Sequence, residues 1–228
     1  MEHVPLASIT ASAPSQAAAD WASDEARLHG LPLRVVHEPP QDFGEARMVV
    51  HSVRREEFAN SRTGAAPLLT AAVERAARPL VFVPDDLSGV PHLAGVTVGV
   101  DARAPSGTAI DFAFECARIR GSGLHVVHAW SLPASAADLP FGIPEEDRAT
   151  WEDQEVQQLA DALRPWREKH PQVPVLEDVV LLTQTQALLH FSAGAALVVV
   201  GQQHGADRGE MMRSLVHEAA CPVAVVPS

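Results

Sequence analysis

The chain has 228 residues, 17 basic against 29 acidic side chains, a formal net charge of −12, 46% hydrophobic residues, two cysteines and no tyrosine. That length fits one large domain or two small ones, and the apolar content suffices for a buried core, which excludes a disordered chain. The acidic balance argues against nucleic acid as a partner, because the arginines and the single lysine, Lys169, are scattered rather than gathered into a basic stripe.

Cys116 and Cys221 form no CxxC pair and no disulfide framework, so both read as small buried thiols in a reducing, cytoplasmic setting. The opening MEHVPLASIT has no basic segment followed by an apolar run, and no stretch nears the roughly 18 apolar residues of a membrane span. No membrane partner is expected.

In chain order, PLASITASAPS is followed by ADWASDEARLHGLPLRVVHEPP, Ala19 to Pro40. Trp21, Ala22, Ala26 and Leu28 have helical spacing, Gly30 is a stop signal, and Leu33–Val36 is a short apolar strand. A strand at Met48–Val50, a helix over Pro67–Ala77 and a strand at Leu80–Val83 come next, then a polar linker over 85–94. The segment Asp111 to Pro133 repeats the Arg-x-x-Gly-x-x-Leu-x-Val-Val-His core of the first segment, and His217–Pro227 repeats Glu74–Pro84. Two matches in the same order define an internal repeat.

The second repeat is complete. It reads as a strand at Val96–Val100, a helix over about 107–120, a strand at 124–130, a helix around 146–169 and a strand at 175–182. A helix at 185–193, a strand at 196–200, a helix at 209–219 and a strand at 223–226 finish it. Continuously apolar short strands alternating with helices predict a parallel sheet covered on both faces. The first repeat has no sequence for the second helix and third strand of this unit. The division is therefore 1–84, an incomplete unit; 85–94, a linker; and 95–228, a complete unit.

In the long helix, Trp151, Val156, Leu159, Leu163 and Trp166 trace an apolar stripe, and the acidic run Glu145 to Glu155 reads as its solvated face. Pro165 is expected to kink or shorten this helix. His125 and His128, three apart on a strand, point to opposite faces and cannot share a metal. His204 and Asp207 have no nucleophile beside them, so no catalytic residues are assigned.

The segments VTVGVD (Val96–Asp101), HVVHAW (His125–Trp130), WREKHPQVPV (Trp166–Val175), ALVVVG (Ala196–Gly201) and CPVAVVP (Cys221–Pro227), in this order, resemble the universal stress protein family in its tandem arrangement. The resemblance implies a flavodoxin-like (Rossmann-like) open parallel five-strand sheet and a tandem pseudo-dimer with an incomplete first unit. It also implies that the closing strands, Leu80–Val83 and Val223–Val226, pair with each other. Some members hold ATP at the carboxyl ends of the strands. An aspartate after the first strand and backbone at the end of the second contact it there, and these positions correspond to Asp101 and Ala129. The family phosphate loop is G-x2-G-x9-G-S/T, whose glycines admit backbone N–H groups to the phosphates.

Here that loop is GQQHGADRGEMMRS, running from Gly201 to Ser214. Gly201 fits, His204 stands where the second glycine belongs with Gly205 one place late, and Arg213 replaces the third glycine. Ala102 replaces a small glycine after Asp101, Ser106 is placed to cap the next helix, and Thr183-Gln184-Thr185-Gln186 replaces a glycine-proline turn. In the first repeat the counterpart loop carries His51, Arg54, Glu56 and Glu57, and no nucleotide is expected there.

The expectation is a non-catalytic stress-response or signalling protein with a degenerate nucleotide site and no cofactor, acting through protein partners or self-association. The alternative is an ATP- or AMP-binding sensor, using Mg-ATP at Asp101, Ala129, Gly201, Gly205 and Ser214.

Overall fold

The computed structural model describes residues 8–12, 15–36, 46–56, 78–87, 95–133, 144–202 and 206–227. The expected helix over Pro67–Ala77, most of the 85–94 linker, and His204 and Gly205 lie outside these residues.

Among the described residues nine strands form one sheet: β1 (Ser8–Ser12), β2 (Leu33–Val36), β3 (Ala46–Val53), β4 (Leu80–Pro84), β5 (Val96–Gly99), β6 (Leu124–Ala129), β7 (Val175–Val180), β8 (Leu197–Gly201) and β9 (Val223–Val226). Among the described residues five α-helices accompany them: α1 (Gln16–His29), α2 (Gly107–Arg120), α3 (Glu145–Lys169), α4 (Gln184–Ser192) and α5 (Ala206–Glu218). The order across the sheet is β2-β1-β3-β4-β9-β8-β5-β6-β7. Every neighbouring pair is parallel except β4–β9, where Leu80 faces Val225, Val81 faces Ala224 and Phe82 faces Val223. The expected pairing of the two closing strands is thus present, and it joins a four-strand array to a five-strand array.

The strands are runs of valine, leucine and alanine because both faces are covered. On one face Trp21 of α1, Ile110 and Phe114 of α2, and Leu159 and Leu163 of α3 pack on Met48, Val81, Val98, Val126 and Val199. On the other, Leu188 of α4 and Leu215 and Val216 of α5 pack on Val49, Phe82, Val127, Val198 and Val225.

The opening helix of each repeat has the same construction. Ser15 and Ser106 occupy the N-caps, accepting from the N–H groups of Ala18 and Ala109, and both helices run for 14 residues. Gly30 and Gly121 end them at φ 62° and 61°. That left-handed conformation is cheap only for glycine, and it turns the last N–H groups back onto the helix carbonyls.

Two expectations for α3 need correction. Pro165 does not shorten the helix, which runs to Lys169, the end expected from the sequence. Its final turn is held from outside by Trp166 against Gly107, by Arg167 pairing with Glu177 and by Lys169 pairing with Asp111. The buried stripe also differs, because Val156 is 46% exposed while Glu155 is only 4% exposed beside Leu159 and Leu163. Glu155 is inward because it has partners there.

Candidate functional site

Ligands of open α/β sheets gather at the carboxyl ends of the strands, here the ends of β5, β6 and β8. Asp101 follows β5 and is partly buried. Its carboxylate accepts the Arg103 N–H at 3.0 Å and its carbonyl accepts the Ala104 N–H at 3.1 Å. Asp101 therefore closes its own turn, as aspartates commonly do.

Gly201 ends β8 against the start of α2. A Cβ at this position would lie 2.6 Å from Ser106 Cβ and 2.8 Å from Ser106 Oγ, so glycine is what lets the strand and the helix N-terminus meet. The same Ser106 Oγ caps α2, accepting the Ala109 N–H at 3.4 Å. Thr108 Oγ1 donates to the Pro227 carbonyl at 2.6 Å, and the Gln202 N–H to the Val226 carbonyl at 2.6 Å. The backbone around Gly201 is tied to β9 and α2.

Ser214 lies well inside α5, several residues beyond its first turn. Only the first four N–H groups of a helix lack an internal acceptor, which leaves the Ser214 hydroxyl as its available group. Ala129 ends β6, is partly buried and lies opposite Val180. Trp130, just beyond, is buried with its indole Nε1 unpartnered.

Between these points sits a network that sequence reasoning missed. His128 of β6 and Glu155 of α3 are buried, with His128 Nε2 3.0 Å from Glu155 Oε2. His128 Nδ1 lies 3.0 Å from the Val100 carbonyl and 3.4 Å from the Ala102 N–H. Arg103 donates to the other oxygen of Glu155. The turn after β5, the end of β6 and the middle of α3 are thereby locked to one another by charge-assisted bonds. The sequence signal was the spacing of Glu155, Leu159 and Leu163 at i, i+4 and i+8, which puts the carboxylate on the buried stripe.

Thr183-Gln184-Thr185-Gln186, expected only as an altered loop, is a capping box. Thr183 Oγ1 accepts the Gln186 N–H at 3.3 Å while Gln186 Oε1 accepts the Thr183 N–H at 3.2 Å.

The first repeat uses the equivalent region differently. His51 is still within β3, stacked 6.0 Å from Phe82, with its pKa pushed down by burial. Arg55 donates to the carbonyls of His217 at 2.5 Å and Ala219 at 2.7 Å and pairs with Asp86 at 2.8 Å. The loop that would hold phosphate instead closes the last carbonyls of α5 in the other repeat.

Both cysteines are buried, and burial pushes each thiol up to about 12. They are inert packing groups, as expected. Among the described residues no cluster of three or more His, Cys, Asp or Glu is disposed to hold a metal, and no helix is long and apolar enough to cross a membrane.

The five-strand array β7-β6-β5-β8-β9, in chain order the third, second, first, fourth and fifth strands of its unit, reverses at β5 and defines a doubly wound, Rossmann-like α/β protein. The sequence pattern of the universal stress protein family matches residues 95–227, and the chain belongs to that family. The Universal stress protein Rv2005c of Mycobacterium tuberculosis is 34% identical over 190 residues, which are 79% of this chain and 62% of that one. The chain thus spans about three fifths of that relative's length.

A universal stress protein from Archaeoglobus fulgidus shares the fold at a TM-score of 0.56 and 15% identity, covering 92% of this chain and 78% of that one. Another from the same organism, solved in complex with dAMP, matches at a TM-score of 0.42 and 22% identity, covering 58% of this chain and 96% of that one.

Proposed function

We propose that the chain is a non-catalytic stress-response or signalling member of its family whose nucleotide site has degenerated, acting through protein partners or self-association in the cytoplasm rather than through ATP. The observation that carries this reading is the Arg103–Glu155–His128 network at the ends of β5 and β6. A nucleotide there would approach a buried carboxylate, and Arg103, the nearest cation to Asp101 in sequence, already serves that carboxylate. Three further features support it. Asp101 is used by its own turn, Ser106 fills the space above Gly201, and Arg213 replaces a loop glycine. In the first repeat Arg55 is committed to α5, which supports the absence of a nucleotide there as well.

The second reading is an ATP- or AMP-binding sensor. What favours it is that Asp101 and Gly201 stand at the ends of β5 and β8, with Ala129 at the end of β6. Gly205 and Ser214 would complete that site, with Mg accompanying the phosphates. Protein purified without added nucleotide, extracted with acid and analysed by anion-exchange chromatography, separates the two. The proposal expects less than about one tenth of an equivalent of any adenine nucleotide, and a stoichiometric peak of ATP or AMP would overturn it.

A further inference from the structure

At the amino ends of β5, β6 and β7, the opposite end of the sheet from Asp101, lies a cleft of about 460 Å³. Its floor is a row in register across three strands: Thr97 faces His125, and His125 faces Leu176. His190 and Phe191 of α4 form one wall. The Phe191 ring meets the His125 ring edge-on at 4.6 Å and the His190 ring edge-on at 4.9 Å. His125 is itself oriented by Asp178, at 2.7 Å.

Two features set this cleft apart from ordinary surface relief. Gly95, Gly123 and Gly194 line it, so no side chain narrows the opening at three successive places. A Cβ on Gly194 would meet nothing within 4 Å. Leu176, on the floor, is 60% exposed, the most exposed large apolar side chain of the described residues. An apolar floor left open inside a concavity is a surface that gains by being covered.

The lining also selects a chemistry. Among the described residues its lining contains no lysine, arginine, aspartate or glutamate, so a charged ring would find no fixed counter-charge in that lining. The volume falls within the roughly 300–1,000 Å³ typical of small-molecule sites. Phe191 offers a ring in a setting where edge-to-face packing is already used twice, and the exposed His190 supplies a polar group. We propose that this cleft binds a small, uncharged aromatic molecule, its ring seated between Phe191 and Leu176 and one polar substituent directed to His190. The site is independent of the nucleotide question, since it shares no residue with the carboxyl ends of the strands.

Nuclear magnetic resonance titration of the 15N-labelled full chain with indole tests this. Indole is expected to shift the amides of Gly95, His125 and Gly194 saturably. Gly194→Leu, which places a side chain in the open cleft, should weaken that binding at least tenfold. Leu176→Ser alters an exposed position, retains the fold by circular dichroism and should weaken binding as well, so it decides the matter if the glycine variant does not fold. Benzenesulfonate, a charged ring, should give no saturable shift. The proposal is overturned if indole gives no saturable shift at these amides, if Leu176→Ser leaves its affinity unchanged, or if benzenesulfonate binds equally well.

Discussion

The strand β2 of the first repeat and β6 of the second share the Leu-x-Val-Val-His core, yet Val35 is 46% exposed and its counterpart Val126 is fully buried. The helices that precede them are closely matched, each with a serine cap, 14 residues and a left-handed glycine. Caps and stops are decided within a few residues, so they survive in both repeats. Burial is decided by what packs on the strand. β6 is paired by β7 on its outer side, and Val126 packs in one cluster with Leu159 and Leu163 of α3, whereas β2 ends the sheet. Among the described residues β2 is the edge strand, and it keeps the pattern of a core strand with Val35 open to solvent.

The two helices also meet each other, and the largest expected effect lies at that seam. Arg120 of α2 pairs with Glu25 of α1, and both side chains are at least nine-tenths buried. Glu25→Ala leaves the guanidinium buried with, among the described residues, the Cys116 carbonyl at 3.3 Å as its acceptor. Urea denaturation should show a loss of about 3–5 kcal/mol. A loss below about 1 kcal/mol would mean that the seam is wet.

Shortening the paired strand valines tests the comparison itself. Val126→Ala removes fully buried methyl groups and should cost about 2 kcal/mol, while Val35→Ala should cost less than about 0.5 kcal/mol. Equal losses in thermal denaturation would show that β2 is covered in solution, by a second copy or by another part of the chain. Ser106→Ala and Ser15→Ala should each cost about 1 kcal/mol, because the two caps make the same bond. Unequal losses would break the equivalence of the helices.

The smallest effect is electrostatic. Arg118, hydrogen-bonded to Glu115, holds that carboxyl below its ordinary range; burial opposes this, and Arg47 from the first repeat adds to the lowering. The unfolded chain therefore binds this proton more tightly than the folded one. The stabilisation is complete above the ordinary carboxylate range and is lost as pH falls through the lowered value. Glu115→Gln should flatten the acid side of a stability–pH curve, with no change at neutral pH in its slope.

Much of the architecture was legible because it is local or periodic. The glycine stops, the serine cap at Ser106 and the apolar strands all rest on short patterns. The pairing of Leu80–Val83 with Val223–Val226 came from the family resemblance, and its antiparallel register is seen in the structure. What escaped was set by contacts distant in sequence. Glu155 looked like the end of an acidic, solvated run, and only His128 and Arg103, 27 and 52 residues away, explain why it turns inward. Arg55 sat in a loop compared with a phosphate site, and its partners lie more than 160 residues on, at the end of α5. Pro165 did not shorten α3, whose final turn carries the Trp166 contact with Gly107 and the ion pairs of Arg167 and Lys169.

Within the candidate site, Asp101, Ala129 and Gly201 came from the family resemblance, but their use in this chain could not be read from it. Position told which residues stand at the strand ends, whereas the turn closed by Asp101 and the contact of Gly201 with Ser106 required the packed structure.

The most direct test of the account is isothermal titration of the purified full chain with Mg-ATP at low millimolar concentration. The proposed degeneration of the site predicts heats of dilution only, with no saturable signal. A one-to-one isotherm that is abolished by Asp101→Ala would contradict it and establish the second repeat as a working nucleotide site.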